Sequence, residues 1–153
     1  MKTESLIKRY YDAYYSVYKS YGCWAKLRGI TVNEGELLKF VFEHESITQN
    51  DICEALQMSK QTVNNILNKF SDKGLICKKE NEKDRRSKII ALTDSGSRYA
   101  GYVVNDLTEI EKNSLLKMSE EDRENFIKTQ EIFAENMRNE LNKITAENKG
   151  EDI

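Results

Sequence analysis

The chain has 153 residues and a formal net charge of −2; 33% of its residues are charged and none is proline. This length suits one domain with a modest core, and the lack of proline favours a largely helical fold. No run of about 18 apolar residues occurs and the N-terminus lacks an apolar leader region, so neither a membrane span nor a secretion signal is predicted.

The N-terminal half is predicted to be helical. Apolar residues recur at spacings of three and four over residues 4–28, and Gly29 can end this first helix. Three further helix starts share one pattern, a side chain that can cap the first turn and a partner three residues later. The pairs are Asn33 with Glu36, Thr48 with Asp51, and Ser59 with Thr62. They predict helices over 33–45, 48–56 and 59–72.

The pattern then changes from helix to strand. Gly74 supplies a helix stop, and 75–79 and 88–92 are short strands on either side of a charged tip at 81–87. Two short helices followed by a hairpin predict a helix-turn-helix with a wing.

Two more long helices complete the chain. Thr93 or Asp94 can open the first, and Ser119, followed by acidic residues, can open the second. The tail from about residue 147 is predicted to fray. The fold class is therefore mostly α (α+β): a winged helix-turn-helix with a small β-hairpin, plus long N- and C-terminal helices.

Charge is distributed unevenly along the chain. Residues 59–88 hold nine Lys/Arg and four Asp/Glu, whereas residues 106–153 hold seven Lys/Arg and thirteen Asp/Glu. A basic module is thus attached to an acidic helical remainder. Because contact with phosphate depends on the local field, the negative total does not exclude nucleic acid as a partner.

The helix over 59–72 has the composition of a base-reading helix. Its apolar residues fall on one face, and Asn, Gln and Thr, which can contact adenine or the thymine methyl, fall on the other. Lysines on such a helix suit phosphates. The alternative is an amphipathic helix whose polar face is only solvated. The candidate major-groove residues are Ser59, Lys60, Gln61, Thr62, Asn64, Asn65 and Lys69.

The wing tip concentrates positive charge. An Arg at a hairpin tip can enter the narrow minor groove, where the negative potential is strongest. Asp84 is expected to pair with an Arg and hold the shape of the tip. The alternative is a charged, solvated turn. The candidate wing residues are Lys83, Asp84, Arg85, Arg86 and Lys88.

At this point a family resemblance becomes specific. The stretches ITQNDICEALQMSKQTVNNILNKFSDKGLI and KDRRSKIIALTDSG, within residues 33–97, resemble the winged helix of the MarR family of bacterial transcription regulators. The resemblance implies that Asp84 orders the tip and that Arg86, or its neighbour Arg85, enters the minor groove. Gln57, where many such turns have Gly, and Cys53, where Ala is usual, depart from the pattern.

The resemblance also implies an assembly and a function. We expect a homodimer in which 1–32 and 94–146 form the dimerisation helices, 33–93 binds double-stranded DNA, and 147–153 is a frayed tail. Two copies of the second helix would then address an inverted repeat. The expected function is that of a cytoplasmic transcriptional regulator, a repressor that blocks a promoter. The alternative is a winged-helix module that binds a protein partner.

Two kinds of signal are candidates for control of this regulator. Aromatic residues of the first helix could line a pocket for a phenolic or lipophilic effector, or could simply pack in the dimer interface. Cys23 is the candidate for oxidant sensing, although burial of all three cysteines is the alternative. No cofactor, metal site or catalytic group is predicted, because the single His has no nucleophile as a partner. The candidate pocket residues are Tyr11, Tyr15, Tyr18 and Trp24.

Overall fold

The computed structural model of the protein describes residues 3–82, 84 and 86–150, with side chains described up to residue 146. Its fold is mostly helical with one small antiparallel sheet, which confirms the predicted fold class. No helix in the described part of the chain is long and apolar enough to cross a membrane. The elements are α1 (Thr3–Leu27), α2 (Val32–Glu43), β1 (Ile47–Thr48), α3 (Gln49–Leu56), α4 (Lys60–Asp72), β2 (Ile76–Glu80), β3 (Lys88–Leu92), α5 (Asp94–Leu116) and α6 (Glu120–Gly150).

The chain forms two compact units. The first runs to Thr108 and contains the helix-turn-helix, the sheet and α1, and the second begins at Glu109 and contains α6. Ser119 caps α6 as predicted, since its hydroxyl accepts a hydrogen bond from the Asp122 N–H at 3.1 Å. α6 continues past residue 147, where fraying was predicted, and ends at Gly150.

The start of α2 differs from its prediction. Thr31, not Asn33, is the N-cap: its hydroxyl accepts from the Glu34 N–H at 3.2 Å, and the Glu34 carboxylate accepts from the Thr31 N–H at 3.0 Å. Asn33 with Glu36 offers the same kind of pair two residues later. The earlier register prevails because it gives the buried Glu34 carboxylate a second partner, Lys69, in another helix.

The other two predicted caps are confirmed. Thr48 and Asp51 form a reciprocal capping box at α3, and the Ser59 hydroxyl accepts from the Thr62 N–H at 3.1 Å at α4. Between these helices Gln57 takes the left-handed conformation at φ 52°, where many such turns place glycine. The turn is therefore mildly strained at the residue that departs from the family pattern.

The wing is a three-stranded sheet of order β1-β3-β2. β2 and β3 pair antiparallel with Lys78 opposite Ile90, close to the predicted strands. β1 was not predicted, because two residues are too few for an alternation pattern and Thr48 also serves as a helix cap. Its pairing of Ile47 with Ile90 attaches the wing to the base of α3.

A single core holds α2, α3, α4 and the sheet together. Its largest fully buried side chains come from all three helices and from α5. They are Phe70, Leu37, Leu38, Ile52, Leu67, Val63 and Val103. The core therefore determines which face of α4 is buried and which is left to solvent.

The root of the wing is tied to the first turn of α5. The Thr93 hydroxyl donates to the Gly74 carbonyl at 2.7 Å, and the Thr93 N–H donates to the Leu75 carbonyl at 3.0 Å. Gly96 packs so closely here that a Cβ atom would lie 1.8 Å from the Leu75 carbonyl oxygen. The end of α4, the start of β2 and the start of α5 thus form one junction.

Candidate nucleic-acid interface

The outer face of α4 is polar and open. Val63, Ile66, Leu67 and Phe70 are buried, which leaves the opposite face to solvent. The exposed side chains of that face are Lys60, Gln61, Asn64, Asn65 and Asn68. Such a helix presents donors and acceptors at the spacing needed to reach base edges in a major groove.

Three of the predicted α4 residues have partners within the protein. The Ser59 and Thr62 hydroxyls are 2.8 Å apart and take part in the cap. Lys69 Nζ lies 2.5 Å from Glu34 Oε1 and so points to α2. Lys69 is thus engaged by an acid although its side chain is 42% exposed, whereas Lys60, the other predicted cation of α4, is exposed near the wing.

The wing tip is shaped by hydrogen bonds to its backbone. Asp84 Oδ1 accepts from the Arg86 N–H at 3.0 Å, and the Asp84 carbonyl accepts from both the N–H and the hydroxyl of Ser87 at 3.0 Å. Asp84 was expected to pair with an Arg side chain; the described contact is with an Arg backbone instead. Lys83 and Arg85 lie outside the described residues. Asp84 therefore orders the turn by satisfying N–H groups.

A cleft of about 320 Å³ separates the start of α4 from the wing. Four cations from four places in the chain face it, one from each of α4, β2, the tip and β3. We call it the wing notch; its lining residues are Thr48, Gln49, Asn50, Lys60, Lys78, Arg86, Ser87, Lys88 and Ile90. Such a concentration of positive charge beside exposed amides suits a phosphate backbone.

Sequence reasoning missed part of the notch. Lys78 was assigned only to a strand, and Gln49 and Asn50 only to a helix start. The register of β2 against β3 brings Lys78 opposite Ile90 and thus to the notch. Gln49 also donates to the Lys60 carbonyl at 3.3 Å, which joins the first turns of α3 and α4. The alternation of side chains along β2 is the signal that could have separated Lys78 from Lys79.

The candidate effector residues are not gathered into one pocket. Tyr11, Tyr15 and Tyr18 are exposed on α1, with the rings of Tyr11 and Tyr15 stacked 5.7 Å apart. Trp24 is 6% exposed and belongs to the core. A ladder of tyrosines along one helix is an open apolar surface and not an enclosed cavity.

Trp24 instead takes part in a brace between α1 and α5. Its Nε1 donates to Asp106 at 2.9 Å, and Arg28 donates to the same carboxylate at 2.9 Å while lying 5.1 Å above the Tyr102 ring. Hydrogen bonds from Arg28, and then from Trp24, lower the pKa of Asp106, and the same contact raises the pKa of Arg28. The brace holds the C-terminal end of α1 against α5.

The cysteines are free and separate in the chain. Cys23 is exposed on α1, whereas Cys53 and Cys77 are half-buried. No cluster of three or more His, Cys, Asp or Glu side chains in the described part of the chain could hold a metal ion.

Known proteins are similar to this chain in sequence and in fold. Residues 28–87 match the sequence model of the MarR family. The uncharacterised HTH-type transcriptional regulator YdgJ of Bacillus subtilis (strain 168) is 26% identical over 118 residues, which span 77% of this chain and 70% of that protein. The organic hydroperoxide resistance transcriptional regulator of the same organism is 34% identical over 68 residues, or 44% of this chain and 46% of that protein.

A solved structure extends the similarity to nearly the whole chain. The S. aureus MepR–DNA complex matches with a TM-score of 0.71 and 27% identity, covering 90% of this chain and 99% of that one. The helix-turn-helix, the wing and the long flanking helices are thus all shared. Over residues 28–87 the chain thus matches the MarR family, and its winged helix-turn-helix fold is that of a MarR-type transcription regulator.

Proposed function

We propose that the protein is a sequence-specific DNA-binding regulator that acts as a dimeric repressor on an inverted repeat. The observation that carries this proposal is the wing notch, where Lys60, Lys78, Arg86 and Lys88 converge beside the exposed face of α4. The notch would hold a phosphate backbone while Asn64 and Asn65 reach base edges. The relative named MepR was solved bound to DNA, which supports the same use of this fold.

The dimeric part of the proposal is supported by exposed apolar helices. Large apolar side chains along α1 and α6 are about half exposed, more than a soluble monomer usually leaves uncovered on two long helices. They include Leu6, Ile7, Tyr14, Val17 and Tyr18 on α1 and Phe126, Ile127, Met137, Leu141 and Ile144 on α6. A second copy of the chain would cover them and place two α4 helices on two half-sites.

DNA binding is tested by a salt titration. Wild type should bind the DNA upstream of its own coding sequence tightly, and log affinity should fall against log salt with a slope of about −0.9 per phosphate neutralised. Arg86→Ala should weaken binding by about tenfold or more, whereas Arg98→Ala, an exposed cation of α5, should not. Binding no tighter than to a scrambled duplex would favour the protein-interaction module.

The inducing signal is proposed to be a small phenolic or lipophilic compound. Exposed Tyr11, Tyr15 and Tyr18 on α1 support it, because an aromatic ligand can stack there and compete with dimer packing. Titrating the protein–DNA complex with an alkylphenol should release DNA. Release that is identical in Tyr15→Ser would contradict a role for this surface.

Oxidant sensing is the second candidate signal. Cys23 is exposed, and one relative is an organic hydroperoxide resistance regulator. Peroxide should then release DNA from wild type but not from Cys23→Ser. DNA binding of wild type that survives peroxide unchanged would eliminate this candidate.

A further inference from the structure

Glu34 is a buried carboxylate whose two oxygens both have partners. Oε2 accepts from the Thr31 N–H at 3.0 Å, and Oε1 lies 2.5 Å from Lys69 Nζ. The Glu34 side chain is 7% exposed, and Glu34 is the one buried charged residue in the described part of the chain. Removing the cation beside a buried carboxylate leaves an uncompensated charge, so the Lys69 contact is a structural requirement of this site.

Lys69 therefore differs from the other cations of α4. Lys60 faces the wing notch, whereas Lys69 faces Glu34 and lines a separate cavity of about 470 Å³ together with Lys26. A lysine that neutralises a buried carboxylate has little charge left to displace counterions from DNA. Within the protein, the Glu34 carboxylate therefore competes with DNA phosphate for the Lys69 ammonium group.

The pair lies where three helices meet. Glu34 belongs to α2 and Lys69 to α4, and Tyr99 of α5 responds to both charges. Burial raises the pKa of Tyr99, the charge of Glu34 raises it further, and the charge of Lys69 opposes that rise. The ion pair thus joins the DNA-facing helix α4 to α2, and Tyr99 of α5 is close enough for its pKa to be affected by both charges.

We infer that Lys69 is a positioning residue whose ion pair with Glu34 sets the rotation of α4, and hence the direction in which Asn64 and Asn65 face the DNA. Apolar packing of Val63 and Phe70 is non-directional and would tolerate small rotations of α4. A short charge-assisted hydrogen bond is directional and would not. The inference rests on the proposed function in DNA binding.

Lys69 could act as a phosphate contact or as a positioning residue, and the two roles predict opposite effects of Glu34→Gln on DNA binding. Glu34→Gln keeps an acceptor for the Thr31 cap but removes the negative charge that holds Lys69. If Lys69 were a phosphate ligand, its release would tighten DNA binding and steepen the salt slope. If it positions α4, its release should weaken binding to the operator.

The experiment compares the salt dependence of operator binding for wild type, Glu34→Gln, Lys69→Met, Lys69→Arg and Lys60→Met. Glu36→Gln, an exposed acid of α2, is the control for the change in net charge. Operator affinity should fall about tenfold in Glu34→Gln and in Lys69→Met, with the wild-type salt slope retained. Lys69→Arg should restore most of the affinity, and Lys60→Met should reduce the slope by about 0.9.

The outcomes separate this inference from the proposed function. Tighter binding by Glu34→Gln, a slope reduced by about one in Lys69→Met, or unchanged affinity in both would overturn the inference alone. A wild type without specific DNA binding would overturn both. Should Lys69→Met fail to fold, Glu34→Gln still gives opposite expectations for the two roles.

A second measurement asks whether the two residues act as a unit. In the double variant Glu34→Gln/Lys69→Met, operator affinity should fall no further than in either single variant, because the same contact is lost. Additive losses, about a hundredfold in total, would show that the two side chains act independently and would contradict the inference.

Discussion

α4 and α6 are both amphipathic helices, but only α4 buries its apolar face within the described chain. Val63, Ile66, Leu67 and Phe70 bury the apolar face of α4 in a core made by its own chain. None of the described side chains of α6, which extend to residue 146, is buried. The apolar face of α4 is thus covered within the winged helix, whereas that of α6 would be covered only in the proposed dimer. Stability and assembly should therefore respond to different substitutions.

The largest expected effect is on the stability of the winged helix. A methyl group at Gly96 would lie 1.8 Å from the Leu75 carbonyl oxygen, so Gly96→Ala must separate α5 from the root of the wing. We expect a loss of about 3 kcal/mol in the free energy of unfolding, measured by urea denaturation. Gly101→Ala is the control, because its Cβ would meet Phe42 at an ordinary 3.6 Å. There alanine should be neutral or stabilise by up to about 1 kcal/mol. Equal losses in both variants would contradict the close approach at Gly96.

The next largest effect is expected on dimerisation, without a loss of folding. Met137→Lys places a charge in the middle of the apolar stripe of α6 and should raise the dimer dissociation constant by about a hundredfold. Asn136→Lys adds the same charge to the neighbouring exposed position and should leave dimerisation intact. Sedimentation equilibrium measures both. Dimers of equal strength in the two variants would place the interface elsewhere than on this face.

Sequence reasoning reached the elements whose signals are local. Ser59 and Thr62 predict the start of α4, and the apolar spacing from Val63 to Phe70 predicts its buried face. Both signals are readable because capping and periodicity involve residues only a few positions apart. The contacts it missed join distant residues. The sequence around Lys69 does not indicate that its ammonium group will donate to the carboxylate of Glu34, 35 positions earlier.

The same limit explains the two misplaced details of the fold. Thr31 and Asn33 both have an acid three residues later, so the cap of α2 was decided by a tertiary contact that sequence spacing does not contain. β1 has two residues and exists because β3 offers Ile90 as a partner. In both places a contact between residues distant in sequence decided which of two nearly equivalent local structures formed.

A smaller effect on stability is expected from the brace between α1 and α5. The folded state holds the pKa of Asp106 below its ordinary value through hydrogen bonds from Arg28 and Trp24. The stabilisation is therefore present above the unfolded pKa of about 4 and is lost as pH falls through the folded value. Asp106→Asn should lower the thermal midpoint at pH 7, and its deficit should shrink below about pH 4. A deficit that is constant with pH would show that the charge of Asp106 does not contribute.

The smallest effect distinguishes two neighbouring lysines of the wing. Lys78 lines the wing notch with Lys60, Arg86 and Lys88, whereas Lys79, the next residue of β2, is absent from its lining. Successive side chains of a strand point to opposite faces, so only Lys78 should meet a phosphate held in the notch. Lys78→Gln should weaken DNA binding a few-fold and reduce the salt slope by about 0.9, and Lys79→Gln should change neither. Because the two variants have the same net charge and the same strand, equal slopes would mean that DNA responds to the overall charge of the wing and not to the notch. Unequal slopes would locate the phosphate between α4 and the wing.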